Sequence, residues 1–247
     1  MKVAMKIAYS GANFCGFQEQ KKSSNMASNS IAGALREALE SVGIFSPFVA
    51  SGRTDKGVNA TAQVISLEIP PFYQDLEKLK KHLNPKLAPL IQIKAIWEVP
   101  SHFNARFSAK RRSYCYVLTT HNTPFLAHCA LFYNLKNPQI LKQALNLFVG
   151  EHNFKAFMKK GGSGDKSGSI RKIYRARLIK KGKFWIFNFC GNGFLRSQIR
   201  LMVGFLLEID KENLILEDLK RQLEGEFIFR IPAPAYGLFL TNVKYSK

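Results

Sequence analysis

The chain has 247 residues, 46% of them hydrophobic and 20 of them Phe, enough for a substantial core in one large or two modest domains without disulfide support. Its 37 Lys and Arg against 17 Asp and Glu give a formal charge of +20, spread along the sequence, which favours phosphate-rich partners. A run of eighteen apolar residues, a lipidation signal and a signal-peptide core behind Met1 are all missing, so a soluble, cytoplasmic protein with no membrane partner is expected.

The pattern predicts a strand at 2–9, a glycine-containing loop at 10–20, and a helix at 29–41 with Ile31, Leu35 and Leu39 at four-residue spacing. Residues 48–51 lead into a turn. Beyond it Gln63, Ile65, Leu67 and Ile69 alternate with Val64, Ser66 and Glu68 in the two-residue period of a half-buried strand. A helix at 76–83, ended near Asn84-Pro85, and a strand at 91–99 complete a β-α-β-β-α-β unit. From about Asn104 the pattern repeats: a long strand to Thr119, a helix at 139–149, strands at 170–180 and 184–190, and a long helix at 194–209. A short helix at 216–223 and a strand at 238–245 close it. The expected architecture is α+β, two related ferredoxin-like units (1–103 and 104–247) whose mostly antiparallel sheets join, with helices on one face and an active cleft between the units.

Chemistry is sought first at Gly52-Arg53-Thr54-Asp55-Lys56-Gly57-Val58-Asn59-Ala60. A lone carboxylate between two cations, in a glycine-bracketed turn of a strongly basic chain, stays ionised and can act as a nucleophile toward a substrate rich in phosphate. Arg53 and Lys56 are candidates to hold that substrate. The alternative is a turn Asp with exposed neighbours. If residues 106–118 form one regular strand, Arg106, Lys110, Arg112, Tyr114 and Tyr116 share a face, mixing cations with aromatics as single-stranded nucleotides require; a solvated strand with packed tyrosines is the other reading. Arg196 and Arg200 fall one turn apart on an otherwise apolar helix, either emerging at its edge or meeting a carboxylate such as Asp55. The low-complexity segment 159–169 fails as a phosphate loop, because Asp165 separates Gly164 from Lys166; a basic loop able to close on RNA and a simple hairpin tip both remain. Cys15, Cys115, Cys129 and Cys190 make no CxxC pair and the five His have no ligand spacing, so no metal is expected.

Taken together these segments resemble the bacterial tRNA pseudouridine synthase A (TruA) family over nearly the whole chain. Residues 9–18 are similar to Y-D-G-x-x-[FY]-x-G-W-Q, residues 52–60 to G-R-T-D-x-G-V-H-[AG], residues 106–116 to the R-F-S-A…Y-x-Y segment, residues 198–204 to M-V-R-x-[IML]-V-G, and residues 237–240 to G-L-[YF]-L. Ser10, Phe17 and Asn59 depart from the usual Asp, Trp and His, and an S-R-T segment is blurred around residues 167–171. The resemblance implies an isomerase that turns uridine into pseudouridine at tRNA positions 38 to 40, acting as a homodimer without cofactor or metal. It implies that Asp55 is the reacting carboxylate, that Tyr114 stacks on an extruded uracil, and that Arg200 faces the Asp. Lys110, Arg111, Arg112 and Arg196, with the 159–166 segment, would then supply phosphate contacts. A noncatalytic RNA-binding protein of similar fold and a nucleoside hydrolase are the rival readings.

Overall fold

The computed structural model describes residues 1–19, 29–159 and 168–246. Two compact units share them, Met1–Lys110 with Phe239–Lys247, and Arg111–Leu238. The fold is α+β, with mostly antiparallel strand pairs and, among the described residues, five α-helices. Most of the segment expected to form a basic loop at 159–169, residues 160–167, lies outside the described residues.

In the first unit the strands run in the order β4 (Ile91–Glu98), β1 (Lys2–Tyr9), β3 (Asn59–Glu68), β10 (Leu238–Tyr245), with the short β2 (Val49–Ala50) also on β3. β1 pairs antiparallel with β3 and β4, and β10 lies parallel to the start of β3 with Phe239 opposite Asn59. Helix α1 (Ile31–Glu40) begins where the Ser30 hydroxyl accepts the Gly33 amide, and its Ile31, Leu35 and Leu39 are buried as their spacing requires. β3 is not half-buried. Both its faces are covered, because the chain after β4 folds back and the Ala105 amide donates to Ser66 Oγ at 3.1 Å. Helix α2 (Leu76–Leu87) runs through Pro85 rather than stopping before it. Proline there removes one donor, which the last turn can lose at modest cost because Lys81, whose carbonyl goes without it, is exposed. Leu79, Leu83 and Leu87 keep the buried stripe continuous past it. Asn84 exchanges two hydrogen bonds with the Ile93 backbone and pins this turn to β4.

In the second unit the order is β5 (Ala109–Thr119), β9 (Phe184–Gly191), β8 (Ile170–Lys181), β7 (Gly150–Asn153), with β6 (Leu131–Phe132) parallel to β5. One sheet face, carrying Tyr114, Tyr116, Phe187, Phe189, Ile173 and Leu178, is buried. Its core continues into an aromatic cluster in which Phe157 meets Phe148 at 5.5 Å and Phe205 at 6.0 Å. Phe205 belongs to helix α4 (Gln198–Asp210), which is buried nearly all round; α3 (Pro138–Leu147) packs on β8, and α5 (Leu216–Glu224) packs on α3. β5 starts at Ala109, not at Arg106. Asn104 Oδ1 accepts the amides of Arg106 (3.0 Å) and Phe107 (3.2 Å), folding that stretch into a turn and removing Arg106 from the strand's alternation. Tyr116 is likewise no surface aromatic, being fully buried.

The fully buried Asp210 at the end of α4 ties that helix to the start of α3. Its carboxylate accepts the Asn137 amide (2.7 Å), the Lys136 amide (3.0 Å) and the Tyr133 hydroxyl (2.9 Å). Burial, reinforced by this bond, pushes the Tyr133 phenol well above its ordinary pKa. Asp210→Ala would orphan the Lys136 and Asn137 amides and leave the Tyr133 hydroxyl only the Leu207 carbonyl at 3.4 Å, and a loss of about 3 kcal/mol or more is expected in urea unfolding. A loss below about 1 kcal/mol would contradict this account of the joint.

Candidate active site

In the first unit the chain leaves β1 at Tyr9, loops through residues 10–17, and later returns through the turn at 52–58 into β3. The turn itself closes with the Val58 amide donating to the Asp55 carbonyl (3.1 Å), and Gly57 takes the positive φ of 78° that its third position demands. Asp55 is half-buried, while Arg53 and Lys56 on either side are exposed.

Buried side chains hold this turn from three directions. The Tyr9 and Thr54 hydroxyls are hydrogen-bonded at 2.8 Å. Gln63 donates to the Gly52 carbonyl (2.8 Å) while its Oε1 accepts the Ser51 hydroxyl. Asn59, only 3% exposed, accepts the Gly11 amide at 2.8 Å. The Phe17 amide adds a bond to the Thr54 carbonyl at 3.1 Å. Gly11 lies so close that a Cβ on it would sit 2.3 Å from the Val58 oxygen, so only glycine lets the 10–17 loop rest on the turn. Sequence reasoning named Asp55 but not Tyr9, Gln63 or the bond made by Asn59. The signal was there: uncharged polar residues inside strands otherwise apolar, which burial obliges to find partners.

In the second unit Tyr114 is 8% exposed and meets Phe194 edge-on, ring centroids 5.3 Å apart at 83°. Arg200, half-buried in the first turn of α4, donates from Nε to the Ala233 carbonyl (2.8 Å), and the Ala233 amide returns a bond to the Arg200 carbonyl (2.8 Å). The side-chain bond sets the guanidinium's direction, and the main-chain bond keeps Ala233 in place to receive it. The Tyr116 phenol bonds the Pro234 carbonyl at 2.9 Å; burial first, then Tyr236, raises its pKa far above the ordinary value, outweighing the opposite pull of Arg200. Tyr116 is therefore a neutral structural group.

Arg196 does not sit one helical turn below Arg200. Gln198 Oε1 takes the Leu195 amide at 2.8 Å, Ser197 is left-handed at φ 58°, and the helix begins only afterwards. Arg196 is exposed in the preceding loop, its carbonyl bonded to the Lys159 amide. Arg112 shares the Tyr114 face and donates to the Asn192 carbonyl (3.1 Å). Arg111 points to the other face, where its guanidinium lies 4.6 Å from the Tyr174 ring centroid, and Lys110 is exposed. The structure thus separates neighbouring cations that the sequence suggested as one group.

Asn59→Ala would leave the buried Gly11 amide without an acceptor, at a cost of about 1–3 kcal/mol in chemical denaturation. An unchanged midpoint would show that the loop is held by other contacts.

A family model described as tRNA pseudouridine synthase matches residues 5–108 and 144–246, which include Asp55 and Arg200 but leave Tyr114 in the unmatched interval. The tRNA pseudouridine synthase A of Wolinella succinogenes is 38% identical over 241 residues, covering 97% of this chain and 92% of the relative. That of Campylobacter jejuni is 36% identical over 247 residues, covering 99% and 100%, and that of Helicobacter hepaticus 38% identical over 245 residues, covering 97% of each. With matches of this extent at both levels, the chain belongs to the tRNA pseudouridine synthase family, whose members are isomerases.

Proposed function

We propose that this chain isomerises uridine to pseudouridine at positions 38 to 40 of the tRNA anticodon arm, with Asp55 as the reacting carboxylate. In the reaction the bond from ribose C1′ to uracil N1 breaks, the uracil turns, and C1′ bonds to C5. The C5 proton leaves and N1 gains one. Atoms and electrons balance without a redox partner, so the reading assigns no cofactor. Asp55 either bonds C1′ as the uracil departs or removes a ribose proton to give a glycal, and each route needs a carboxylate held at the sugar. Tyr114 would stack on the extruded uracil, and Arg200 would supply the balancing cation.

The observation that carries this reading is the placement of Asp55 on a turn whose surroundings are tied down by buried hydrogen bonds, in a family of uridine isomerases. The charge of +20 supports a tRNA partner. Stacking returns about 1–3 kcal/mol per base, close to the few kcal/mol that extrusion costs, so phosphate contacts must supply most of the affinity. Arg53, Lys56, Lys110, Arg112 and Arg196 are the cations proposed for it. A homodimer working in the cytoplasm belongs to the same reading.

Incubation with undermodified tRNA, followed by mapping at nucleotide resolution, should show pseudouridine at 38 to 40 with the wild type and none with Asp55→Ala. Product elsewhere would refute the position, and product from the variant would remove Asp55 from the mechanism. Arg200→Ala should lower the single-turnover rate about 100-fold or more with little change in tRNA affinity. An unchanged rate at saturating enzyme would discard its role.

A further inference from the structure

The second face of the β5-β9-β8 sheet, opposite the one that holds Tyr114, is open. Strand register places Arg111, Arg175, Arg177 and Lys181 on it, and no Asp or Glu occurs anywhere in these three strands. A register shift between Ile173 and Arg175 makes a bulge that turns Tyr174 to the same side as Arg175, where it lies beneath the Arg111 guanidinium. Asn188, in the middle of the face, accepts from Arg175 at 3.4 Å and donates to Cys115 Sγ at 3.1 Å, drawing Arg175 inward over the sheet. Arg175, Arg177 and Lys181 are exposed. At the edge, Glu151 of β7 lies opposite Lys172, so the surplus is concentrated on the central strands.

An open sheet face ordinarily mixes charge signs, because like charges across neighbouring strands repel. Here the sheet carries that repulsion unrelieved by any carboxylate of its own strands. A polyanion relieves it, and an Arg stacked on an exposed tyrosine adds a platform for a sugar or base. We propose that this face binds a stretch of tRNA backbone away from the target nucleotide. A uracil held at Tyr114 lies on the opposite side of the sheet, so RNA reaching Arg175 and Arg177 is a different segment of the same molecule. This inference rests on the tRNA reading above.

The test compares wild type with Arg175→Ala/Arg177→Ala, substitutions of exposed side chains, using unmodified full-length tRNA and an isolated anticodon stem-loop. Affinity is measured across a series of salt concentrations. For full-length tRNA the slope of log affinity against log salt should shrink by about 1.4–1.8, since each of the two lost phosphate contacts removes about 0.7–0.9. Stem-loop affinity and the single-turnover rate at saturating enzyme should stay as in the wild type. An unchanged slope with full-length tRNA overturns the proposal. Equal losses on both RNAs overturn it too, by placing the face within the anticodon contact. A fall in oligomer mass in sedimentation, with tRNA affinity kept, assigns the face to protein contact and also refutes it. None of these failures would touch the reaction itself, which is lost only if the wild type makes no pseudouridine.

Discussion

Everything proposed for this chain depends on where one turn is held. The Asp55 turn is not a surface excursion fixed by its own sequence; it is gripped by Tyr9 from β1, by Gln63 and Asn59 from β3, and by the loop resting on it through Gly11. Each of these bonds contributes only about 0.5–1.5 kcal/mol net. Breaking any of them strands a buried polar group, so the set behaves as a unit and the turn has one position. That is the condition a reacting carboxylate needs: a fixed place before the substrate arrives, so that ordering it is not charged against the transition state.

The second unit answers the same requirement by other means. Arg200 is aimed by its Nε bond to the Ala233 carbonyl, which a main-chain bond holds in place, and Tyr114 is steadied edge-on by Phe194. Their supports are backbone carbonyls and aromatic rings rather than ionisable groups. The chain as a whole carries 37 Lys and Arg against 17 Asp and Glu, a surplus whose self-repulsion favours a phosphate-bearing partner. Affinity drawn from phosphates carries no base specificity, so on the proposed reading choice of nucleotide would come from which uridine can be extruded and seated.

Much of the fold was legible in the sequence. The strands at 2–9 and 238–245 form with the bounds their patterns predict, and α1 buries the three apolar residues whose spacing announced it. What periodicity hides is competition from side chains. Asn104 and Gln198 each capture a neighbouring backbone amide and so delay β5 and α4, displacing Arg106 and Arg196 from the positions that regular extrapolation gives them. Pro85 was read as a helix stop because local propensity says so; the Leu79, Leu83 and Leu87 stripe outweighs it. Nor does a two-residue alternation say which strand will lie alongside, and the parallel seat of β10 on β3 is a tertiary choice. The turn at 52–60 was legible from its glycines, whereas its anchors stood out only as uncharged polar residues in apolar strands, whose role shows once the partner is known.

If the Asp55 turn is held before substrate arrives, it is as firmly placed as the sheet it leads into. Native-state hydrogen exchange tests this at the amides of Gly11, Phe17, Ser51 and Val58, which donate to Asn59 Oδ1 and to the carbonyls of Thr54, Val64 and Asp55 respectively. These amides are expected to exchange with free energies near that of global unfolding, alongside the interior of β1 and β3. Exchange several kcal/mol easier than that, at loop-like rates, would mean that the turn opens on its own and that the carboxylate is not held in place beforehand.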